Sequence, residues 1–217
     1  MITIIDYGIG NLRSIEKAFQ HVGVEVLRTD RAEDLARADH LVLPGVGAFG
    51  ACIDEVRHRG LEQPILEAVD RGVPFLGVCV GMQLLFEVGE EMGRHRGLGI
   101  LPGRVVRFEG VYAREAVTTG DDDGADMQAL KVPHMGWNTV APQRTSPLLA
   151  GIEPGAYFYF VHSYHAAPGT SDDVLATTRY GVDFPAIVAR NNVLGVHFHP
   201  EKSQHNGLRI LKNFARL

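Results

Sequence analysis

The first hundred residues alternate short apolar runs with helix-period patterns. Ile2 to Ile5 predicts a strand, followed by the Gly-rich loop Asp6-Tyr7-Gly8-Ile9-Gly10-Asn11. Leu12, Ile15, Phe19 and Val22 then recur at the spacing of one helix face. Val24 to Leu27 predicts a second strand, and Asp30 stands where it can cap a short helix carrying Leu35. Leu41 to Leu43 predicts a third strand, running into Pro44-Gly45-Val46-Gly47 and a further helical stretch. Val73 to Val78 predicts a fourth, entering Cys79 and the apolar start of a helix, Met82 to Phe86. Strands alternating with helices in this way make βαβ units and a parallel sheet. The chemistry of such sheets sits at the carboxyl ends of their strands.

The second half changes character. Arg104 to Phe108, Trp137 to Val140, Tyr157 to Val161, Val174 to Thr178, Ala186 to Ala189 and Leu194 to Phe198 all read as strands separated by Gly, Pro and Asn. Only the last is followed by a helical pattern, Gly207 to Leu217. The pattern therefore predicts an α/β fold, a central mostly parallel sheet with an added antiparallel β-rich portion. Nothing marks a linker, so residues 1–217 read as a single domain. Gly110 to Leu130, with Gly120-Asp121-Asp122-Asp123-Gly124, is the one stretch composed like a flexible surface loop.

Composition narrows the function classes. At 45% hydrophobic and 22% charged, the 217 residues suit a globular chain and exclude collagen-like or low-complexity ones. Lys and Arg number 21 against 26 Asp and Glu, a formal −5, and the basic residues are scattered. That balance argues against a nucleic-acid binder. Apolar runs reach only about five residues, far short of a membrane span. Asp6 follows Met1 to Ile5 too soon for a signal-peptide core. Two cysteines, Cys52 and Cys79, are too few for a disulfide framework or a cysteine zinc site. The expectation is a reduced, cytoplasmic protein whose thiols each need an individual account.

Gly77-Val78-Cys79-Val80-Gly81 has the form G-x-nucleophile-x-G, directly after an apolar strand and directly before a helix. That is the setting of a nucleophile elbow: a tight turn exposes the sulfur, and the next N–H, at Val80, can donate to an oxyanion. The same residues also suit a small buried hydrophobe at a strand end. A thiol nucleophile needs a base, and the base needs an orienting group. Phe198-His199-Pro200-Glu201 offers both: Pro200 stops the strand alternation, so Glu201 can curl behind the His199 imidazole.

Gly45-Val46-Gly47-Ala48-Phe49-Gly50 is literally G-x-G-x-x-G. It follows the third strand rather than the first, and Pro44 stands at its entrance. Glu67 and Asp70, the acidic residues some distance on, fall in a helical pattern instead of at a strand end. A backbone beside the elbow that supplies a second oxyanion N–H is the better use. Its glycines let a peptide plane rotate. A carbonyl resting toward the site would repel the oxyanion, and turning it would supply the missing donor. His162-x-x-His165 and His197-x-His199 lack the Cys, Asp or Glu that would complete a metal-ligand set, so no metal is expected. His197 is expected to face a neighbouring strand, and Cys52, in a helical stretch, to serve packing.

Pro44-Gly45-Val46-Gly47, Gly77 to Gln83 and Phe198-His199-Pro200-Glu201-Lys202-Ser203 resemble the motifs of the class I, triad-type glutamine amidotransferases, and the similarity covers essentially the whole chain. Within that family, Asp6 to Asn11, Pro133-His134-Met135-Gly136-Trp137-Asn138 and Tyr159 to Tyr164 resemble the branch that serves histidine biosynthesis. The resemblance implies a flavodoxin-like amidotransferase fold without a cofactor, in which residues 110–130 are an insertion. It also implies that Cys79 attacks the glutamine side-chain amide, His199 shuttles the proton and Glu201 orients the imidazole. Val46, Gly47 and Val80 would form the oxyanion hole, and Gly47, Gln83, Ser163 and Tyr164 would hold glutamine. Ammonia would pass to a separate cyclase subunit, a (β/α)₈ barrel, with Asn11, Trp137, Tyr159 and Lys202 near the interface. The glutaminase of another amidotransferase, such as anthranilate synthase, would share the triad. A non-catalytic module retaining the fold is the alternative of a different class, against which the presence of all three triad residues speaks.

Overall fold

The computed structural model describes residues 1–108, 112–113 and 128–217. The loop expected at 110–130 therefore lies largely outside the described residues. At its ends, Tyr112–Ala113 and Gln128–Ala129 pair antiparallel.

One eight-stranded sheet carries the fold. From one edge its order is Ala141–Pro142, Val174–Tyr180, Val182–Arg190, Val193–Val196, Phe75–Cys79, Leu41–Gly45, Ile2–Ile5 and Val26–Thr29. The last five strands are mutually parallel and the first three antiparallel. Ile2–Ile5, Leu41–Gly45, Phe75–Cys79 and Val193–Val196 are buried along their whole length. Parallel strands covered on both faces must be apolar throughout, which is why these read as unbroken apolar runs and not as alternations. The antiparallel strands extend the same sheet instead of forming a separate unit. A second, four-stranded sheet orders Tyr164–Pro168, Leu101–Arg107, Phe86–Gly89 and His95–Arg96. His134–Thr139 and Tyr157–His162 form a two-stranded ribbon with Trp137 opposite Tyr159.

The helix Leu12–His21 buries Ile15, Ala18 and Phe19. The closing helix Gln204–Phe214 buries Ile210, Leu211 and Phe214, and the Phe19 and Phe214 rings meet at 6.5 Å. Burying such a ring contributes about 1.5–3 kcal/mol. Among the described residues no helix is long and apolar enough to cross a membrane.

Several local expectations shift. The second strand is Val26–Thr29, because Val24 is still engaged in the helix end, its N–H donating to the Phe19 carbonyl. Asp30 does not cap. Arg31 holds the N-cap position without a side-chain bond, Thr29 Oγ1 pairs with Asp34 at 2.6 Å, and Asp30 faces Arg59 at 3.5 Å. The helix after Cys79 ends at Gln83, and Phe86 opens a strand paired with Leu101. A short all-apolar run such as Leu84-Leu85-Phe86 carries no period that separates the two conformations. Tyr164–Pro168 is a strand that its weak strand propensity concealed.

Candidate active site

Cys79 closes its strand at φ 55°, ψ −115°, a left-handed conformation that an L side chain adopts at a cost of order 1–3 kcal/mol. The strain is held by close packing of strand against helix. A Cβ on Gly77 would lie 2.6 Å from the Gly81 carbonyl oxygen, so the two glycines are what allow the elbow to form. Cys79 is nearly buried and forms part of the wall of a cavity of about 450 Å³, within the usual range for a small-molecule site.

His199 follows the adjacent parallel strand, and Pro200 opens a single 3₁₀ turn, Pro200–Lys202. That turn swings Glu201 back, so that His199 Nδ1 meets Glu201 Oε1 at 2.9 Å with both side chains buried. Ser203 fixes the turn: its hydroxyl donates to the His199 carbonyl at 2.7 Å and accepts from the Tyr159 N–H at 2.9 Å. Burial alone would push the His199 imidazole down. Hydrogen bonds and charge from Cys79 and Glu201 outweigh it and raise His199 to about 10. The imidazole is therefore stabilised as the cation once it has taken the Cys79 proton, between the sulfur and a carboxylate.

Val46, Gly47 and Val80 all line this cavity. The Leu41 N–H donates to the Pro74 carbonyl at 2.9 Å, which sets the phase of the parallel ladder. Carried in register to its last rung, Gly45 opposite Cys79, that phase turns the Gly45 carbonyl toward the Val80 N–H. In a trans peptide the Val46 N–H then points the other way. The Gly45 carbonyl, and not the Val46 N–H, thus faces the Val80 N–H.

Gln83, Ser163 and Tyr164 line the same cavity. Gln83 Nε2 donates to the Tyr164 carbonyl at 3.3 Å and to His197 Nε2 at 3.1 Å, leaving Oε1 as an acceptor. His197 is wholly buried, and its ring lies 4.0 Å from that of His162. His134 Nδ1 meets His162 Nε2 at 2.9 Å, and His162 Nδ1 meets the Tyr164 carbonyl at 2.9 Å. Burial holds His134 down at about 4, His162 at about 3, and His197 well below its ordinary value. These histidines are neutral hydrogen-bonding groups. His165 instead lies against Phe108, 4.6 Å between ring centres.

Two site residues escape the sequence. Glu91 lines the cavity, and its Oε2 accepts from the Phe49 N–H at 2.7 Å, capping a helix whose own N-cap residue, Ala48, has no polar side chain. Tyr7 donates its hydroxyl to the Pro44 carbonyl at 2.8 Å. Glu91 has no local motif, and the Asp6 to Asn11 loop gives no sign of the Tyr7 bond; only the fold brings the two there. Of the residues expected at an interface, Lys202 lines the cavity and Asn11 reaches the triad carboxylate. Asn11 Nδ2 is 3.5 Å from Glu201 Oε1, Trp137 meets Tyr159 edge-on at 6.0 Å, and Lys202 Nζ sits 5.6 Å above the Tyr159 ring. Met135, Trp137 and Tyr157 are exposed.

Residues 3–217 match the family model described as Glutamine amidotransferase class-I. A curated relative from Salinibacter ruber, "Imidazole glycerol phosphate synthase subunit HisH", is 59% identical, with 100% of this chain and 94% of that protein covered. A relative of the same name from Syntrophotalea carbinolica is 51% identical, over 99% of both chains. Among solved structures, a glutamine amidotransferase superposes with a TM-score of 0.71 at 20% identity, covering 100% of this chain and 99% of that one. PurLQS from Thermotoga maritima gives 0.71 at 18%, over 99% and 97%. At such identities the last two speak to the fold alone. The chain belongs to the class I glutamine amidotransferase family, among the HisH subunits of imidazole glycerol phosphate synthase.

Proposed function

We propose that Cys79, His199 and Glu201 hydrolyse glutamine to glutamate and ammonia, and that the ammonia passes to the cyclase subunit of imidazole glycerol phosphate synthase. The observation that carries the reading is the buried 2.9 Å His199–Glu201 pair beside a thiol on a strained elbow. The Cys79 sulfur, deprotonated by His199, attacks the side-chain amide carbon. The tetrahedral intermediate collapses as His199 returns the proton to the leaving nitrogen, releasing ammonia and leaving a thioester. Water, deprotonated by His199, then cleaves the thioester to glutamate and restores the thiol. Glu201 holds the imidazole in register throughout.

Substrate recognition follows from charge and hydrogen-bond capacity. Glutamine carries an α-ammonium group, which the Glu91 carboxylate and the free Gln83 oxygen suit. Gly47, Ser163 and Tyr164 complete the wall. The cyclase, a (β/α)₈ barrel in a heterodimer, would dock over Asn11, Trp137, Tyr159 and Lys202. Its product pair, imidazole glycerol phosphate and an aminoimidazole carboxamide ribotide, places the reaction in histidine biosynthesis. A reducing cytoplasm suits the free Cys79 thiol.

Activation by the partner would act on the Gly45–Val46 peptide, whose carbonyl faces Val80. Turning Gly45–Val46 would withdraw the carbonyl and bring the Val46 N–H beside that of Val80. One oxyanion donor is worth roughly 10²–10³ in rate. The test of the catalytic assignment is Cys79→Ala in the assembled enzyme: glutamine hydrolysis should vanish while synthesis from added ammonium salt persists.

A further inference from the structure

Two buried side chains hold the end of the strand at Gly45 and the residue after it, each bonding a different carbonyl. Tyr7, wholly buried at the end of the first strand, donates to the Pro44 carbonyl at 2.8 Å. Cys52, wholly buried in the helix Phe49–His58, donates its thiol proton to the Val46 carbonyl at 3.3 Å. Between these two carbonyls lies the one peptide, Gly45–Val46, whose direction decides whether the oxyanion site is blocked or armed. We propose that Tyr7 and Cys52 are positioning residues that clamp the carbonyls flanking this peptide, so that it alone turns. This rests on the glutaminase reading above.

The geometry gives the reason. Carbonyls alternate along an extended chain, so pinning those of Pro44 and Val46 on one side leaves the Gly45 carbonyl on the other, toward Val80. With both flanks tied, rotation is confined to ψ of Gly45 and φ of Val46. The turned N–H then lands in one place. Without the ties the strand can settle as a whole, and an oxyanion donor displaced by a large fraction of an ångström loses much of its effect. Space is equally restricted: a Cβ on Gly45 would lie 2.6 Å from the Gly81 nitrogen and 3.0 Å from the Tyr7 hydroxyl. Burial raises the Tyr7 hydroxyl and the Cys52 thiol above their ordinary values, so both keep the proton they donate. Cys52 is thus more than packing, although a thiol is a weak donor.

The test is steady-state glutamine hydrolysis by the assembled enzyme carrying Tyr7→Phe, Cys52→Val or Cys52→Ser. Phe keeps the ring and Val the volume, while each deletes one donor; Ser restores a donor at position 52. The expected result is a kcat lower by roughly three- to tenfold for Tyr7→Phe and for Cys52→Val, the range set by the loss of one hydrogen bond. KM for glutamine should not change, and Cys52→Ser should recover most of the lost kcat. Alkylation of Cys79 by iodoacetamide should proceed in Cys52→Val as in the wild type, showing an intact nucleophile. Wild-type kcat in both donor-deleted variants, or Cys52→Ser as slow as Cys52→Val, would overturn the clamp. If Tyr7→Phe fails to fold, the Val and Ser pair at position 52 decides. Absence of hydrolysis in the wild-type complex would instead overturn the glutaminase reading itself.

Discussion

Glu201 Oε1 faces two groups at once: His199 Nδ1 at 2.9 Å and Asn11 Nδ2 at 3.5 Å. Asn11 stands at the entrance of the first helix, on the flank proposed to meet the cyclase, while Glu201 orients the base. A change at the proposed docking face would therefore reach the triad through one amide.

That contact can be probed by substitution. Asn11→Ala removes a long bond and should change kcat by no more than about threefold. Asn11→Asp places a second carboxylate against Glu201, and like charges at a partly buried site are worth roughly 1–2 kcal/mol here, about tenfold in kcat. Glutaminase assays of the two complexes check this; equal effects would remove charge from the account.

The neutral histidine cluster predicts acid lability. His134 and His162 are depressed to about 4 and about 3 by burial, and His197 is also held well below its ordinary value. Below about pH 6.5 the unfolded chain binds protons that the folded chain refuses, so stability falls with pH. The loss from His134 is complete near pH 4 and that from His162 near pH 3. Each group contributes at most about 1.4 kcal/mol per pH unit. His199 runs the other way. Raised to about 10, it contributes stability that is fully present below about 6.5 and is lost as pH rises through 10. Urea midpoints across pH 4–10 should fall at both ends, and His134→Gln should flatten the acid limb.

The elbow glycines predict an uneven pattern of tolerance. A Cβ on Gly81 would overlap the Leu43 carbonyl, whereas Gly23, at φ 82°, faces open space. Gly81→Ala should destabilise by about 3 kcal/mol or prevent folding, as overpacking against backbone does. Gly23→Ala should cost only about 1 kcal/mol from its positive φ. Thermal melts of the two variants separate crowding from backbone strain.

What the sequence revealed follows from range. The parallel strands were legible because burial on both faces demands unbroken apolar runs. The elbow and Phe198-His199-Pro200-Glu201 were legible because their geometry is set within five residues. Glu91, Tyr7 and the thiol role of Cys52 were not, because each acts on backbone atoms brought near by the fold: Glu91 on Phe49, Tyr7 on Pro44, Cys52 on Val46. The two glycines at 45 and 47 showed that a peptide could turn. Which way it rests depends on the phase of a ladder set at Leu41 and Pro74, which no local pattern encodes.

The central claim is that Cys79 performs glutamine hydrolysis behind an oxyanion site held shut until a cyclase docks. The most direct measurement is steady-state glutaminase turnover of the subunit alone, with the cyclase, and with the cyclase plus its nucleotide ligand, for wild type and Cys79→Ala. The account predicts weak turnover alone, a rise of roughly 10²–10³ once the second donor is supplied, and none in Cys79→Ala under any condition. Comparable wild-type turnover in all three conditions, or hydrolysis surviving in Cys79→Ala, would contradict it.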